Sequence, residues 1–428
     1  MNKKYFKLYC LAIAFLVTAP LFFTLINYGS RLIWNVNILT EDELSGVINT
    51  PQQTELSLET LQSRQFQSDF EKNFEYNLAS RKVCTRVYNQ LLYSVFDTTD
   101  NSEILVGRED YLFEKAYPRA LLTELTPQER TELEENINKL ARLTKLLKEH
   151  GVTLVVRMSP SKAELYPEYL PHSYSRFIRM QQIGEYDQNW YQVFKNKISK
   201  TNIPFYDGHD LMQRLKEEGE IVFTKGGTHW SLSPMEEYIN GLNAYMEGLL
   251  NKKLSRMVVT NQQVITGKMG VPDDDDIWQL GWNAISDYPN YPSPNITFST
   301  NPGEAPLHVF TVGQSFTTVL LEAIYSTEHP VWDETYFSWY NGRVMKYTSE
   351  TPPWGIQISD ATDNYEQYLK MDVIMIEFLE NGTVSTQFEF VNNMLQYLEK
   401  TERNYDLFIY NFPFCVLPYI FSNALFLA

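Results

Sequence analysis

Cysteine is nearly missing. Cys10, Cys84 and Cys415 are the whole complement, with no disulfide framework and no metal-ligand spacing. Histidine is sparse too: six residues, no two in the His-x-x-x-His spacing that seats zinc on one helix face. The one acidic run, Asp273 to Asp276, lacks the alternating ligands and distal Glu of a calcium loop and reads as a solvated turn. No metal site is therefore expected. Positive charge is in deficit: 36 Lys and Arg against 53 Asp and Glu give a net charge of -17. That excludes nucleic acid as a natural partner and argues against docking on anionic membrane through basic patches. It leaves a sugar polymer open, for which local charge counts more than the sum. No internal repeat is evident.

What is present describes a folded chain. Hydrophobic residues make up 43% and aromatics 14% of 428 residues, enough for one large domain or two medium ones. Lys3, Lys4 and Lys7 precede an uncharged run from Leu8 to Ile26. As a helix that run just reaches across a bilayer core of ~30 Å, with its basic flank in the cytoplasm and the rest exported. An uncleaved signal anchor over residues 1–28 is the favoured reading and a cleaved signal peptide the alternative. Residues 29–64 read as a polar linker. Phe66 to Phe96 has helical apolar spacing, as one amphipathic helix or a pair packed on the main domain. Ile104 to Phe113 reads as two short strands about a Glu109-Asp110 turn. Thr126-Pro-Gln-Glu129 is a helix start with a capping box, and Gly151 ends that helix ahead of a buried strand, Val152 to Met158. Helix then apolar strand is the rhythm of a mostly parallel α/β sheet. Residues 254–305 read as loop-rich. Met371 to Phe378 reads as a buried strand and Phe388 to Leu398 as a helix. The apolar tail, 401–428, is broken by Asn411, Pro413, Pro418 and Asn423; a membrane segment, an interfacial anchor and a plain chain end all stay open.

Two stretches carry candidate chemistry. His308 to Val312 is a β-branched, apolar strand, Gly313 permits a tight turn, and Phe316 to Ile324 reads as a helix with Ser315 or Thr317 near its cap. Ser315 then stands where a strand ends and a helix begins, among backbone N–H groups that lack intrahelical partners. A nucleophile needs such a place, because those N–H groups hold the oxyanion of an acyl intermediate; Gly313 and Gln314 are the turn candidates. A serine that merely caps a helix is the alternative. In the second stretch Gly226-Gly227 forces a loop from which Thr228-His229-Trp230 emerges, and Ser233-Pro234 opens a helix to about Leu250. His229 is a candidate base there, or a structural hydrogen-bonder. Substrate-binding candidates are Lys162, just past a strand's carboxyl end, Tyr166, Trp230, and Arg343 in the Asn341-Gly342-Arg343 hairpin turn. Trp278, Trp282, Trp332, Tyr336, Trp339 and Tyr340 are sugar-stacking candidates or core.

Four motifs in order resemble the alginate O-acetyltransferase family of the AlgJ and AlgX type. Gly107-Arg-Glu-Asp-Tyr-Leu-Phe113 is similar to its glycine–aromatic–Leu-Phe block. Pro160-Ser-Lys162 with Tyr166-Pro-Glu-Tyr-Leu-Pro171 is similar to its proline–lysine–tyrosine segment. Thr228-His229-Trp230 is similar to its Asp-x-His-Trp motif, and Gly313-Gln-Ser-Phe316 to its Gly-Asp-Ser-Phe motif. The resemblance spans roughly residues 65–400 and implies an SGNH-hydrolase-like domain, a mostly parallel sheet flanked by helices, behind an N-terminal membrane helix. It implies O-acetyl transfer to hydroxyls of a secreted polysaccharide, with Ser315 as nucleophile and His229 as base. It also implies no cofactor, an acetyl donor delivered by a multi-pass membrane-bound O-acyltransferase, and a location on the periplasmic or cell-surface side. Two positions depart from the pattern. Gly227 stands where the family has the acid that orients the histidine, and Gln314 where it has Asp. Removing such a carboxylate costs about 10⁴ in the serine-protease case. Three outcomes follow: a Ser–His dyad, an acid supplied by Asp207, Asp210 or Asp273–Asp276, or a degenerate site that binds polymer or scaffolds a complex. An acetyl esterase using the same serine is a further alternative.

Overall fold

The computed structural model describes residues 3–36, 51–78, 81–176, 179, 188–266, 292–339, 342–359, 364–382 and 384–411. The chain opens with helices α1 (Lys3–Trp34), α2 (Leu58–Gln62), α3 (Gln65–Tyr76) and α4 (Arg81–Phe96), then the hairpin β1 (Ile104–Val106) and β2 (Leu112–Glu114). Helices α5 (Ala116–Leu122) and α6 (Pro127–Glu149), strand β3 (Thr153–Ser159) and helices α7 (Lys162–Leu165) and α8 (Trp190–Ile198) follow. Next come β4 (Phe205–Asp207), α9 (His209–Glu217), α10 (Met235–Leu250), β5 (Arg256–Thr266), β6 (Pro292–Asn301), β7 (His308–Gly313) and α11 (Ser315–Tyr325). The chain goes on through β8 (Glu334–Trp339), β9 (Val344–Thr348), β10 (Ile356–Ser359), α12 (Tyr365–Tyr368), β11 (Val373–Leu379) and α13 (Ser385–Asn411).

The main sheet has seven strands in the order β10-β9-β8-β7-β11-β3-β4. The five strands from β8 to β4 are parallel; β9 and β10 add antiparallel pairs at one edge. Its strands are apolar on both faces, as a sheet covered by helices on both sides demands. Leu154, Val156, Met158, Phe310, Val312, Ile374, Ile376 and Phe378 face one core with α6, α8 and α13. Val155, Val309, Val373 and Met375 face the other, with α5, α7, α10 and α11. Burying this much hydrocarbon, at about 25 cal/mol per Å², is what holds the layers. The capping box forms as its residues require: Thr126 caps the Glu129 amide while Glu129 accepts from the Thr126 N–H at 2.7 Å.

Three expectations are corrected. Within 254–305, expected to be loop-rich, the described residues are mostly strand: β5 and β6 make a long antiparallel ribbon, Arg256 opposite Asn301 through Thr266 opposite Pro292, and 267–291 lie outside the described residues. Pro292 and Pro294 speak against a central strand, but in a two-stranded ribbon every strand is an edge and tolerates proline. The pair α3–α4 does not turn its apolar stripe to the body: Phe70 and Val95 are each 60% exposed, and α4 is held by polar contacts, the Tyr93 hydroxyl to Asp110 and Asn89 to the Asp100 N–H. Finally, α1 is longer than residues 1–28 and contains Pro20, which removes one helical hydrogen bond. Among the described residues no single helix is long and apolar enough to cross a membrane. Tyr5–Phe15 and Thr18–Trp34 pass that test only together, bent by 42°. The Asp273–Asp276 run, Trp278, Trp282, Tyr340 and the tail beyond Asn411 lie outside the described residues.

Candidate active site

Strand β7 ends at Gly313, Gln314 is extended at the helix cap, and Ser315 is the first residue of α11. Glycine is required at 313 by close approach. A Cβ there would lie 2.7 Å from both Glu377 Oε2 and Thr317 Oγ1. Beneath the turn lies the Glu377 carboxylate, fully buried on β11. Its Oε2 accepts from the Gln314 backbone N–H at 2.9 Å and from the Thr317 hydroxyl at 2.6 Å. Its Oε1 accepts from Arg157 at 2.7 Å and Ser159 at 2.6 Å. The Gln314 N–H is thus committed to Glu377, which corrects its expected service to an oxyanion. The Ser315 and Phe316 N–H groups, in the first turn of α11, have no acceptor within the helix.

His229 stands on the loop between Phe223 and Trp230, which bridge each other; the Ser231 N–H closes it on the Val222 carbonyl at 2.8 Å. The loop meets the serine turn through Phe316. Its ring is fully buried, and the His229 ring lies edge-on to it with centroids 5.2 Å apart. Trp230 packs on the same ring at 5.4 Å, and Tyr117 of α5 at 6.2 Å. The two loops, 86 positions apart in the chain (315 minus 229), therefore converge on one aromatic side chain at the carboxyl edge of the sheet. Beside α5 opens a cleft of about 540 Å³ lined in part by Lys115, Arg119, Thr123, Trp190 and Asn381.

The substrate-binding candidates fare differently. Lys162 is buried, its ammonium donating to the carbonyls of Leu112 at 2.7 Å and Lys225 at 3.2 Å. It is a clamp on the histidine loop, not a loop lysine facing substrate. Tyr166 is buried in a cluster with Tyr111, Tyr169 and Phe223, and burial pushes its hydroxyl up to about 12. Trp230 is fully buried, its indole N–H donating to the Pro160 carbonyl at 3.0 Å, and Trp332 donates to Asn243 at 2.8 Å. These rings serve the core. Arg343 remains exposed, in the hairpin after β8, whose last residue pairs with Gly313.

Of the proposed substitute acids, Asp207 is occupied elsewhere. Asp207 accepts from His209 Nδ1 at 2.5 Å, Lys195 at 2.7 Å and Tyr191 at 3.0 Å. His209 Nε2 meets Glu380, which also accepts from Ser161 at 2.5 Å. Burial works against a charge on His209, but Glu380 and Asp207 outweigh it and push the imidazole up to about 10. Asp210 is exposed on α9. This Asp–His–Glu array is not foreseen from the sequence, although Asp207-Gly-His209 after a strand is its local trace. Among the described residues no group of three His, Cys, Asp or Glu is arranged to hold a metal ion.

Residues 104–234 match the family model for the SGNH hydrolase-like domain of the acetyltransferase AlgX. This stretch is similar to the SGNH-hydrolase-like domain of the AlgJ/AlgX type. The match takes in His229 and stops short of Ser315, so it is narrower than 65–400. The probable alginate O-acetylases AlgJ of Pseudomonas fluorescens and Azotobacter vinelandii are each 25% identical to the chain, over 163 and 164 residues. Those matches take in 38% of this chain and 37–38% of the relatives, well under half the length of either. The O-acetyltransferase domain of Pseudomonas putida AlgJ aligns over 68% of this chain and 98% of its own, at 19% identity and a TM-score of 0.39.

Proposed function

We infer that the protein is a membrane-anchored, extracytoplasmic O-acetyltransferase that modifies hydroxyls of a secreted polysaccharide. The observation that carries this is the meeting of the His229 and Ser315 loops on Phe316 at the carboxyl edge of a parallel sheet. Relatives named as alginate O-acetylases support it. In the first step Ser315 Oγ bonds to the acetyl carbonyl carbon, its proton passes to His229, and the imidazolium returns that proton to the departing donor group. In the second, a sugar hydroxyl gives its proton to His229 and attacks the same carbon; the bond to Oγ breaks and Ser315 regains a proton. The N–H groups of Ser315 and Phe316 face the developing oxyanion, each such donor worth about 10²–10³ in rate. Helix α1, bent at its middle, is the anchor, and a multi-pass O-acyltransferase brings acetyl groups across the membrane.

One observation favours a second reading, a non-catalytic polymer-binding or scaffolding subunit. Gly227 offers no carboxylate at the position that orients the histidine, and Asp207 is committed to His209. Turnover of a chromogenic acetyl ester by the full chain decides between them. The enzyme reading expects Ser315→Ala and His229→Ala each to abolish turnover and the Ser315→Ala protein to take up no acetyl group. Equal rates in all three proteins remove it and leave the binding reading.

A further inference from the structure

Arg157 and Glu377 are both fully buried, on adjacent parallel strands and directly opposite each other in register. A charge inside each of two otherwise apolar strands is costly: burying an ion pair is often no better for stability than burying hydrocarbon of the same volume. Their contacts show what the pair reaches. Glu377 holds the Gln314 N–H and the Thr317 hydroxyl, one on each side of Ser315. Arg157 donates to Thr317 at 2.6 Å, and its guanidinium lies 5.9 Å from the ring of Trp230, the residue after His229. One ion pair thus supports the serine turn and the histidine loop together. Gly313 is small enough to let the carboxylate up against the turn.

We propose that Glu377 and Arg157 are positioning residues that set the register of Ser315 against His229, through Thr317 and the Gln314 amide on one side and Trp230 on the other. The role rests on Ser315 being the nucleophile. It replaces none of the missing orienting acid's contact with His229. It fixes the other half of the geometry, the nucleophile and the oxyanion donors behind it.

The test is the rate of acylation of the detergent-solubilised full chain by a chromogenic acetyl ester, with KM and melting temperature measured beside it. Glu377→Gln removes the charge, and Thr317→Val removes only the hydroxyl next to the turn and keeps the ion pair. Each is expected to lower the acylation rate about 10²-fold with KM changed less than about twofold, the signature of misplaced reacting groups. Thr317→Ser, which keeps the hydroxyl, restores the rate. Trp332→Phe, which breaks a buried hydrogen bond elsewhere, lowers the melting temperature and leaves the rate alone. Should Glu377→Gln fail to fold, the Thr317→Val and Thr317→Ser pair carries the decision. A wild-type rate in Thr317→Val beside an inactive Ser315→Ala overturns the positioning role and leaves the nucleophile standing. An active Ser315→Ala overturns the nucleophile, and the positioning role goes with it.

Discussion

Raising the pH should destabilise this protein through one buried imidazole. His209 lies between Asp207 and Glu380 under the stacked ring of Tyr191, and its pKa is raised from 6.5 to about 10. A folded-state pKa above the unfolded one means that the native state holds its proton longer. The stabilisation is then complete below the unfolded value and drains away as pH rises toward the folded value. Between about pH 6.5 and 9 the unfolded chain releases this proton while the folded one keeps it. Each pH unit then costs about 1.4 kcal/mol, or roughly 3 kcal/mol over that window. The buried tyrosines do not contribute there, because the hydroxyls of Tyr191, Tyr206 and Tyr325 are held above their ordinary value and even free ones titrate near 10. Asp207 is shifted the opposite way, held below its usual range by His209 and Lys195 against the effect of burial, so its contribution is lost only on acidification.

The assay is guanidinium unfolding of the detergent-solubilised chain at half-unit steps from pH 6.5 to 9, with histidine Cε1–H resonances followed by NMR in the native state. The expected result is a slope of one proton and one imidazole resonance that stays in the charged position throughout. Stability that is flat over the window, or six histidine resonances that all titrate below pH 8, would refute the reasoning, because no linkage can then come from His209.

Three further outcomes follow from single contacts. Lys162→Met should leave the Leu112 carbonyl without its buried donor, while the Lys225 carbonyl keeps the Leu112 N–H at 2.8 Å, and should cost about 1–3 kcal/mol, read as a lower melting temperature together with lost esterase activity. Gly313→Ala forces a methyl group against Glu377 and Thr317; overpacking of this kind costs about 1–3 kcal/mol by denaturant unfolding and should displace the serine turn enough to abolish turnover. Thr126→Ala deletes the cap at the N-terminus of α6 and should cost about 1 kcal/mol by denaturant unfolding.

Local chemistry is legible in the sequence, and the direction of burial is not. The Thr126 capping box, the strand–glycine–helix passage at Ser315 and the hairpin after β8 are fixed by residues within a few positions of each other, so the chain spells them out. Lys162, Tyr166 and Trp230 mislead because their local settings, a loop after a strand and a glycine-rich turn, are those of ligand sites as well as of clamps. What decides is which distant carbonyl or ring arrives: Leu112 for the lysine, Phe223 for the tyrosine, Pro160 for the tryptophan. Arg157 and Glu377 leave a stronger trace than any of these. Thr153-Leu-Val-Val-Arg-Met-Ser159 and Val373-Ile-Met-Ile-Glu-Phe-Leu379 each carry one charge in a run that is otherwise almost wholly apolar. A central strand, closed to water on both faces, leaves such a charge only a partner of opposite sign on a neighbouring strand. Two strands of that kind, one with a cation and one with an anion, call for pairing on the strength of their residues alone. The polar atoms left over after pairing then have to be met by whatever chain crosses above them, and here that chain is the Gln314–Thr317 turn.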